Sequence, residues 1–333
     1  YYIMDGGKLI GTGSSSCVFS PDIPCKGEKY KKNDKRVSKF IYDKGAIDML
    51  NTEKKMNMII KKIKNYSDWC LVFDKYCKAP SLEKVKEYED EIDECLERDS
   101  ISYEEYDNID KISYLTSGTS GGITLEDYFI ENYSKLNNSN LEKKFMDLMN
   151  MIEPLFNGLK IMHDNKIIHN DIKGINIVMH DNKFKFIDFG LAGLFNNQSH
   201  FKKRSINEFN TGRIYIYYPI DYIYYYASNS SLNKELQNIK DGEVRRHFDD
   251  LYDYYYSLFK KDFYEICEKN IDDIKNKRIN EKNMLQKIDV YSIGSLIPLL
   301  FMFESNIEFP HNKNDKINAF YSLFKDMTDP DLN

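Results

Sequence analysis

Three polar residues near the middle of the chain have the types and spacing that phosphoryl transfer requires. The sequence HNDIKGIN at residues 169–176 is followed by IDFG at residues 187–190. Phosphoryl transfer needs a carboxylate to orient the attacking hydroxyl, cations to neutralise the phosphates, and oxygen ligands to hold those cations. Asp171 can supply the carboxylate. Asn176 and Asp188 carry oxygen ligands of the kind that magnesium, a hard cation, prefers.

A lysine and two apolar runs complete this pattern. Lys173 follows Asp171 by two residues and can contact the phosphoryl group that is transferred. Apolar residues at 175–178 and 184–187 flank the polar ones. This arrangement predicts a loop and a hairpin that hold both metal ligands at one cleft.

The pattern resembles the eukaryotic protein kinase family, whose signatures read H-R-D-x-x-x-x-N and D-F-G. The resemblance implies an α+β, bilobal protein-kinase fold, with a small β-rich N-lobe that has one key helix and a larger, mainly α-helical C-lobe. We expect the N-lobe at residues 1–117 and the C-lobe at 118–333, with the glycine-rich run at 117–122 as the hinge. ATP and Mg²⁺ are the implied cofactors, with Mn²⁺ as an alternative metal.

A glycine- and serine-rich segment lies ahead of these motifs. GTGSSSCV at residues 11–18 resembles the family's G-x-G-x-x-G-x-V loop, with Ser16 in place of the third glycine. Glycines let the backbone approach phosphates closely and point N–H groups at them. Taken alone, the segment is equally typical of a plain hairpin turn. The resemblance implies that it binds ATP through Gly11, Gly13, Ser14, Ser15, Ser16 and Val18.

An ion pair is expected between this segment and the catalytic motifs. Val37-Ser38-Lys39 resembles the strand whose lysine contacts the α- and β-phosphates, and the alternative for Lys39 is a surface charge. Met49, Glu53, Met56 and Ile60 share one face of a predicted helix. An inward-facing carboxylate needs a cation. Glu53 is therefore the expected partner of Lys39, unless it is an ordinary surface glutamate.

Two later motifs also resemble the family. DVYSIG at residues 289–294 is similar to the D-x-x-S-x-G motif, whose aspartate accepts hydrogen bonds from the catalytic-loop backbone. We also expect Asp289 to be the N-cap of a helix at 289–303. Residues 211–219 resemble the end of an activation segment.

The chain departs from the family at two regulatory positions. Asn170 replaces the arginine that receives an activation-segment phosphate in the family, which argues against that mode of switching. Ile220 occupies the position of the glutamate of A-P-E, and Asp221 is its candidate substitute. The arginine that pairs with this glutamate in the family would follow residues 329–331, so we expect the sequence to end just short of the family's last helix.

Two segments lie outside the resemblance and are interpreted as insertions. Residues 80–110 are rich in charged residues and predict a solvated insertion; residues 222–287 predict a second one that is mostly helical. The abundant Tyr and Asn are attributed to biased genome composition. Together with the insertions, this composition is similar to that of kinases of large DNA viruses that infect protists.

The composition limits the binding partners and the cellular compartment that we expect for this protein. The net charge is −6, with both signs interspersed, so neither nucleic acid nor a membrane is an expected partner. The apolar stretch 293–303 is too short to span a bilayer and predicts a buried helix. The six cysteines show no C-x-x-C spacing and are expected to be reduced. We therefore expect a cytoplasmic protein, in host cytoplasm or virion if it is viral.

Three functions compete at this point. The first is a serine/threonine protein kinase acting on protein substrates, which Lys173 favours because the family's tyrosine kinases usually lack a lysine there. The second is a pseudokinase that serves as a scaffold or allosteric binder, against which the retained Lys39, Asp171, Asn176 and Asp188 argue. The third is a small-molecule kinase of the aminoglycoside or choline type, which usually lacks the glycine of D-F-G and the motif at 289–294.

Two basic clusters suggest one mode of regulation. They lie at residues 202–204 and 245–247. Because Asn170 is unable to pair with a phosphate, a polyanion or an acidic partner is a candidate for ordering this region. Solvated charge and substrate docking are the competing interpretations.

Overall fold

The computed structural model describes residues 8–13, 16–29, 31, 33–43, 46–87, 92–98, 103–134, 140–211, 215–241, 248–260, 262–305, 309 and 315–330. The chain forms two compact units. Unit one comprises the chain up to Gly122 together with Ile187–Leu191, and unit two comprises Ile123–Phe186 with the chain from Ala192 onward. Unit one contains the main sheet and unit two is mostly helical, which confirms the α+β kinase class.

Unit one is built on a five-stranded antiparallel sheet whose strands lie in the order β1-β2-β3-β5-β4. Strand β3 lies at its centre, so that Lys39 is opposite Val18 on one side and Thr116 on the other. Ser38, Phe40 and Ile41 of this strand are buried. The strands are β1 (Lys8–Gly13), β2 (Ser16–Ser20), β3 (Arg36–Ile41), β4 (Lys75–Lys78) and β5 (Tyr114–Thr119).

Helix α1 (Ala46–Ile60) follows the central strand. Its buried face contains Glu53, Met56 and Ile60, as the helical spacing predicts. Met49 was expected on that face, but its side chain is 41% exposed. The prediction was wrong there because Ala46 and Leu50 supply the buried positions in the first turns of the helix.

The segment at residues 80–110 is not fully solvated, contrary to expectation, because several of its apolar side chains are buried. It contains α2 (Leu82–Lys86), α3 (Ile92–Arg98) and α4 (Tyr103–Ile112). Its sparse apolar residues join one core cluster with Phe19 and Phe40 of the sheet. The charged residues hid this pattern because a short amphipathic helix needs only two or three apolar side chains to pack against a sheet. The buried apolar residues of its helices are Leu82, Val85, Ile92, Cys95, Leu96 and Ile109.

Four cysteines of unit one form disulfides, so the expectation of reduced thiols is wrong for them. Cys17 of β2 is bonded to Cys95 of α3, and Cys25 is bonded to Cys77 of β4. The sequence separations of 78 and 52 residues conceal both pairs, because only the fold brings these positions together. Cys70 and Cys267 are buried and are not part of either disulfide.

Unit two begins with two helices and contains two small two-stranded sheets. Helix α5 (Leu125–Tyr133) starts at Thr124, whose side chain accepts a hydrogen bond from the N–H of Asp127 and so caps the helix. The other elements are α6 (Leu141–Asp164), β6 (Ile167–Ile168) paired with β9 (Gly193–Leu194), and β7 (Ile177–His180) paired with β8 (Lys183–Phe186).

The second predicted insertion, residues 222–287, is mostly helical as expected, and it shares one core cluster with residues outside the segment such as Phe201 and Tyr291. The tyrosine runs that composition alone would explain supply much of this core, since Tyr222, Tyr224, Tyr254 and Tyr255 are almost fully buried. The segment contains α9 (Asn229–Lys240), α10 (Phe248–Phe259) and α11 (Phe263–Lys275). Helix α8 (Ile220–Tyr225) overlaps its start, and α7 (Gln198–Thr211) precedes it.

Helix α12 (Glu281–Glu304) is the central helix of unit two, and it packs against α13 (Asp315–Thr328). The predicted N-cap was wrong: Asn280 caps the helix through its side-chain oxygen, and Asp289 lies within the helix. By length and composition, α12 could cross a membrane. Most of its apolar window is buried inside the protein, which is typical of a core helix.

Candidate active site

The carboxylate of Asp171 is held by two neighbours on its own loop. The side-chain nitrogen of Asn176 donates to the main-chain oxygen of Asp171 at 2.9 Å and to its Oδ2 at 2.7 Å. Lys173 Nζ lies 3.2 Å from the same Oδ2. Asp171 and Asn176 are buried, at 8% and 6% exposure. The structure thus brings the predicted carboxylate, lysine and amide of unit two together.

Gly174 lets this loop lie directly against helix α5. A Cβ atom at residue 174 would be 2.9 Å from Cβ of Glu126 and 3.1 Å from its Oε2, so a larger residue would push the loop away. Burial raises the pKa of Glu126, as do Glu304 and Asp127, and the charge of Lys173 opposes the rise. Glycine at position 174 of the loop sequence D-I-K-G-I-N therefore allows the close packing against Glu126.

The backbone ahead of Asp171 is anchored by Asp289. The N–H groups of His169 and Asn170 donate to the two carboxylate oxygens of Asp289, at 2.7 and 2.9 Å. Burial raises the pKa of Asp289, while His169 and the two backbone hydrogen bonds oppose the rise. This is the contact that the sequence motif at residues 289–294 predicts. It fixes Asn170 at a φ of 62°, in the left-handed region.

Two tyrosines that the sequence did not single out contact the same loop. The Tyr215 hydroxyl donates to Oδ1 of Asp171 at 3.1 Å, and the Tyr218 hydroxyl donates to the main-chain oxygen of Asn170 at 2.6 Å. Burial raises the pKa of both phenols, and Asp171 raises it further. The sequence feature that could have pointed to these tyrosines is their position just ahead of Pro219, at the end of the expected activation segment.

Unit one contributes a lysine and an aspartate in contact. Lys39 Nζ donates to Oδ2 of Asp188 at 2.9 Å, and the N–H of Gly190 donates to Oδ1 of the same carboxylate at 3.2 Å. Asp188 has a φ of 60°, which turns the chain sharply before Phe189, a fully buried residue. The predicted phosphate-binding lysine and metal ligand therefore lie side by side in this unit.

Glu53 is buried near this pair, with 2% of its surface exposed. Burial raises the pKa of Glu53 to about 8; the charge of Lys39 opposes this rise and that of Asp188 adds to it. The pKa of Glu53 therefore depends on the charges of both Lys39 and Asp188. The 2.9 Å hydrogen bond of Lys39 Nζ goes to Asp188. A direct pairing of Glu53 with Lys39 stays a prediction.

The glycine-rich segment forms the turn between β1 and β2. Gly11 pairs with Val18 and Gly13 with Ser16 across the two strands. Ser14 and Ser15 lie outside the described residues, so their expected role in binding phosphate stays a prediction. The hairpin itself is present, as both interpretations of the segment require.

Asp221, the candidate substitute for the missing glutamate, is a buried charge. It lies in α8 and is 6% exposed. Burial raises its pKa, and Lys287 of α12 is the main charge that opposes the rise. A lysine on the central helix thus provides the cation for Asp221.

The three residues of the first basic cluster, 202–204, have different environments. Lys202 and Lys203 are exposed, whereas Arg204 points to Tyr218 and to Glu208 of its own helix. Residues 245–247 lie outside the described part of the chain. Regulation by a polyanion or an acidic partner stays a prediction.

The donor atoms present suit a hard divalent cation. Both contacts of the Asn176 nitrogen go to Asp171, which leaves the amide oxygen as the atom for a ligand bond. Asp188 supplies a carboxylate that is not fully buried, with its side chain 29% exposed. Oxygen donors of these two types are what magnesium binds. Sharing of metal ions between Asn176 and Asp188 stays a prediction.

Comparison with known proteins agrees with this geometry. Residues 123–215 match the protein kinase domain family. This match supports the expectation of a eukaryotic-type protein kinase. The matched part of the chain contains Asp171, Lys173, Asn176 and Asp188, and the helices beyond residue 215 lie outside it.

The chain is also similar to curated relatives over a short stretch. It is 38% identical over 61 residues to cyclin-dependent kinase 9 of Danio rerio, covering 18% of this chain and 16% of the relative. It is 38% identical over 58 residues to a serine/threonine-protein kinase of Candida glabrata, covering 17% and 9%. CTD kinase subunit alpha of Saccharomyces cerevisiae is 41% identical over 58 residues, covering 17% and 11%. These matches span 9–16% of the relatives' length.

Proposed function

We propose that this kinase transfers the γ-phosphate of ATP to serine or threonine hydroxyls of protein substrates. The observation that carries the proposal is the geometry at Asp171. Its Oδ2 is fixed by Asn176 and Lys173, so the carboxylate has one orientation in which Oδ1 can accept the hydrogen bond of a substrate hydroxyl. Orientation of this kind is the main protein contribution to phosphoryl transfer.

Each remaining residue has one role in the proposal. Asn176 and Asp188 hold Mg²⁺, which neutralises the phosphate charge when it is bound. Lys173 contacts the phosphoryl group in transfer. Lys39 contacts the α- and β-phosphates, and the buried Glu53 supports it from α1.

The choice of serine and threonine rests on Lys173 and on one relative. Lys173 lies close to Asp171, where the family's serine/threonine kinases have a lysine. A matched relative is named a serine/threonine-protein kinase. Phosphosite mapping on a protein substrate after incubation with ATP and Mg²⁺ would identify the residue type.

The test compares wild type with Asp171→Asn, which keeps the shape but removes the charge. We expect wild type to transfer ³²P from γ-labelled ATP to a generic basic protein, and the variant to lose about a hundredfold or more of that rate. Thermal unfolding of both proteins controls for folding. An absence of transfer by wild type with Mg²⁺ and with Mn²⁺ would favour a pseudokinase scaffold.

A further inference from the structure

The arginine missing from the catalytic loop has a counterpart on another element. Where the family signature has arginine, this chain has Asn170, whose side chain is neutral and buried. Arg204 lies on α7, between the D-F-G residues and Pro219, and therefore within the activation segment. Its side chain is 26% exposed and contacts groups next to the catalytic loop.

Arg204 reaches the loop through one tyrosine. Its Nε donates to the Tyr218 hydroxyl at 3.3 Å, and its guanidinium lies 5.8 Å from the centre of that ring. The Tyr218 hydroxyl in turn donates to the main-chain oxygen of Asn170 at 2.6 Å. Tyr218 is 1% exposed, so this relay lies in a medium where hydrogen bonds strengthen one another.

The positive charge of Arg204 is already balanced inside the same helix. Its Nη2 lies 2.9 Å from Oε1 of Glu208, one helical turn on, and Glu208 is 8% exposed. Burial lowers the pKa of Arg204, but Tyr218, Glu208 and Asp171 outweigh it and raise the pKa overall. The arginine therefore stays charged in a region that already holds a carboxylate.

The helix that carries this pair is itself fixed to unit two. The Ser205 hydroxyl donates to the main-chain oxygen of Tyr222 at 2.7 Å, and the Tyr222 hydroxyl donates to the main-chain oxygen of Phe201 at 3.0 Å. Phe201 and Ser205 are fully buried. These bonds join α7 to α8, so Arg204 is presented to Tyr218 from a packed element.

We propose that Arg204 is a positioning residue that holds the catalytic loop through Tyr218 and takes the place of the arginine absent at position 170. Glu208 supplies the negative charge that an activation-segment phosphate would otherwise bring. The activation segment of this kinase therefore needs no phosphorylation to order the loop. The expected effect on turnover rests on the proposed function. The order of the catalytic loop, in contrast, can be measured without any kinase activity.

Hydrogen exchange at the amides of residues 169–176 tests the relay directly. In Arg204→Met and in Tyr218→Phe, we expect these amides to exchange at least about tenfold faster than in wild type, because the relay bond to Asn170 is weakened or lost. Arg204→Lys, which keeps the charge, should lie between wild type and Arg204→Met. Lys234→Met removes the same charge from an exposed position on α9 and should change nothing at the loop. Tyr218→Phe conserves shape, so it remains informative if Arg204→Met unfolds.

Steady-state kinetics then separates positioning from binding. We expect Arg204→Met and Tyr218→Phe to lower kcat by about tenfold to a hundredfold while KM for ATP stays within about threefold, since misplacement of the loop affects chemistry more than binding. Wild type stripped by a phosphatase, with its mass confirming that no phosphate remains, should keep its full kcat.

Three results would overturn the inference. One is loop exchange in Arg204→Met and Tyr218→Phe equal to that of Lys234→Met. Another is a fall of KM and kcat together with unchanged loop exchange. The third is loss of turnover on phosphatase treatment that returns when a site within residues 188–219 is phosphorylated. If wild type transfers no phosphate, the proposed function fails, and the exchange comparison still decides the role of Arg204.

Discussion

At the scale of single residues, the hydroxyl of Tyr215 donates to Oδ1 of Asp171, the carboxylate at the centre of the proposed function. Asp171, Lys173 and Asn176 could be predicted because phosphoryl transfer requires those types at that spacing, and the structure brings them together. Tyr215 could not, because many tyrosines in this chain are core residues and their types carry no signal. Its contact with Asp171 depends on how the chain returns to the loop.

Tyr215 occupies the oxygen of Asp171 that a substrate hydroxyl would use. In Tyr215→Phe that oxygen is freed, while Asn176 and Lys173 still orient the carboxylate. A hydrogen bond of about 1 kcal/mol no longer competes with the substrate, so we expect KM for the protein substrate to fall by about three- to tenfold. Steady-state kinetics at saturating ATP measures this.

The control for this prediction is Tyr217→Phe. Tyr217 lies on the same segment, its main-chain oxygen accepts a hydrogen bond from Ser292, and its ring packs against that of Tyr215, a contact that phenylalanine keeps. It should leave KM for the protein substrate unchanged. A rise in KM for Tyr215→Phe would mean that the phenol helps to bind the substrate.

Glu53 should make stability depend on pH in the nucleotide-free protein. Its pKa rises from an ordinary 4.5 to about 8 in the folded state. The folded protein holds this proton more tightly, so the contribution is fully present below pH 4.5 and is lost as pH rises to about 8. Glu53→Gln should therefore be more stable than wild type at high pH, by on the order of several kcal/mol.

Urea unfolding at closely spaced pH values measures the difference between the two proteins. The difference should grow from pH 4.5 and level off above about pH 8. Asp48→Asn, at an exposed position on the same helix, is the matched control and should keep the pH dependence of wild type. A difference that does not vary with pH would show that Glu53 does not titrate in this range.

At the scale of elements, a glycine sets the distance between two helices of unit two. A Cβ at Gly294 of α12 would lie 2.5 Å from Cβ of Met327 and 3.0 Å from Cγ2 of Thr328, both on α13. Alanine favours a helix over glycine by about 1 kcal/mol, but overpacking costs about 1–3 kcal/mol. We expect Gly294→Ala to be destabilised, because the clash is with a main-chain-proximal atom that has little freedom to move.

Thermal unfolding of Gly294→Ala beside Ser295→Ala measures this. Ser295 is the next residue of the same helix and loses only a hydrogen bond to the main-chain oxygen of Ser292. Its melting temperature should lie closer to wild type than that of Gly294→Ala. The reverse order would mean that α13 moves aside without cost.

The elements also show where sequence patterns fail. Helix α1 was predicted because its apolar spacing is clear, and strand β3 because Val37-Ser38-Lys39 resembles a strand of the family. The start of α12 was missed because residues 281–288 are mostly polar and Asp289 offered a plausible cap. The three helices at 80–110 were missed because each buries few residues and depends on the sheet for its core.

At the scale of the whole molecule, the two units differ in their disulfide content. Both disulfides lie in unit one, while Cys267 is a free thiol in unit two. Disulfides form in an oxidising environment and are rare in the cytoplasm. The predicted cytoplasmic location therefore disagrees with the cysteine pairing in the structure. Counting thiols in the denatured, unreduced protein decides between them. The structure predicts two reactive thiols, from Cys70 and Cys267, and a fully reduced chain would show six.

Reduction should then weaken unit one selectively. Each bond closes a long loop, and its loss costs about 2–5 kcal/mol in a small domain. The single tryptophan, Trp69, is buried in unit one, so its fluorescence reports on that unit alone. We expect a reductant to lower the Trp69 unfolding midpoint, and Cys17→Ser/Cys95→Ser without reductant to lower it by part of that amount. Because neither bond involves unit two, hydrogen exchange at α11 and α12 should be unchanged. Equal loss of protection in both units would show that the two units unfold together.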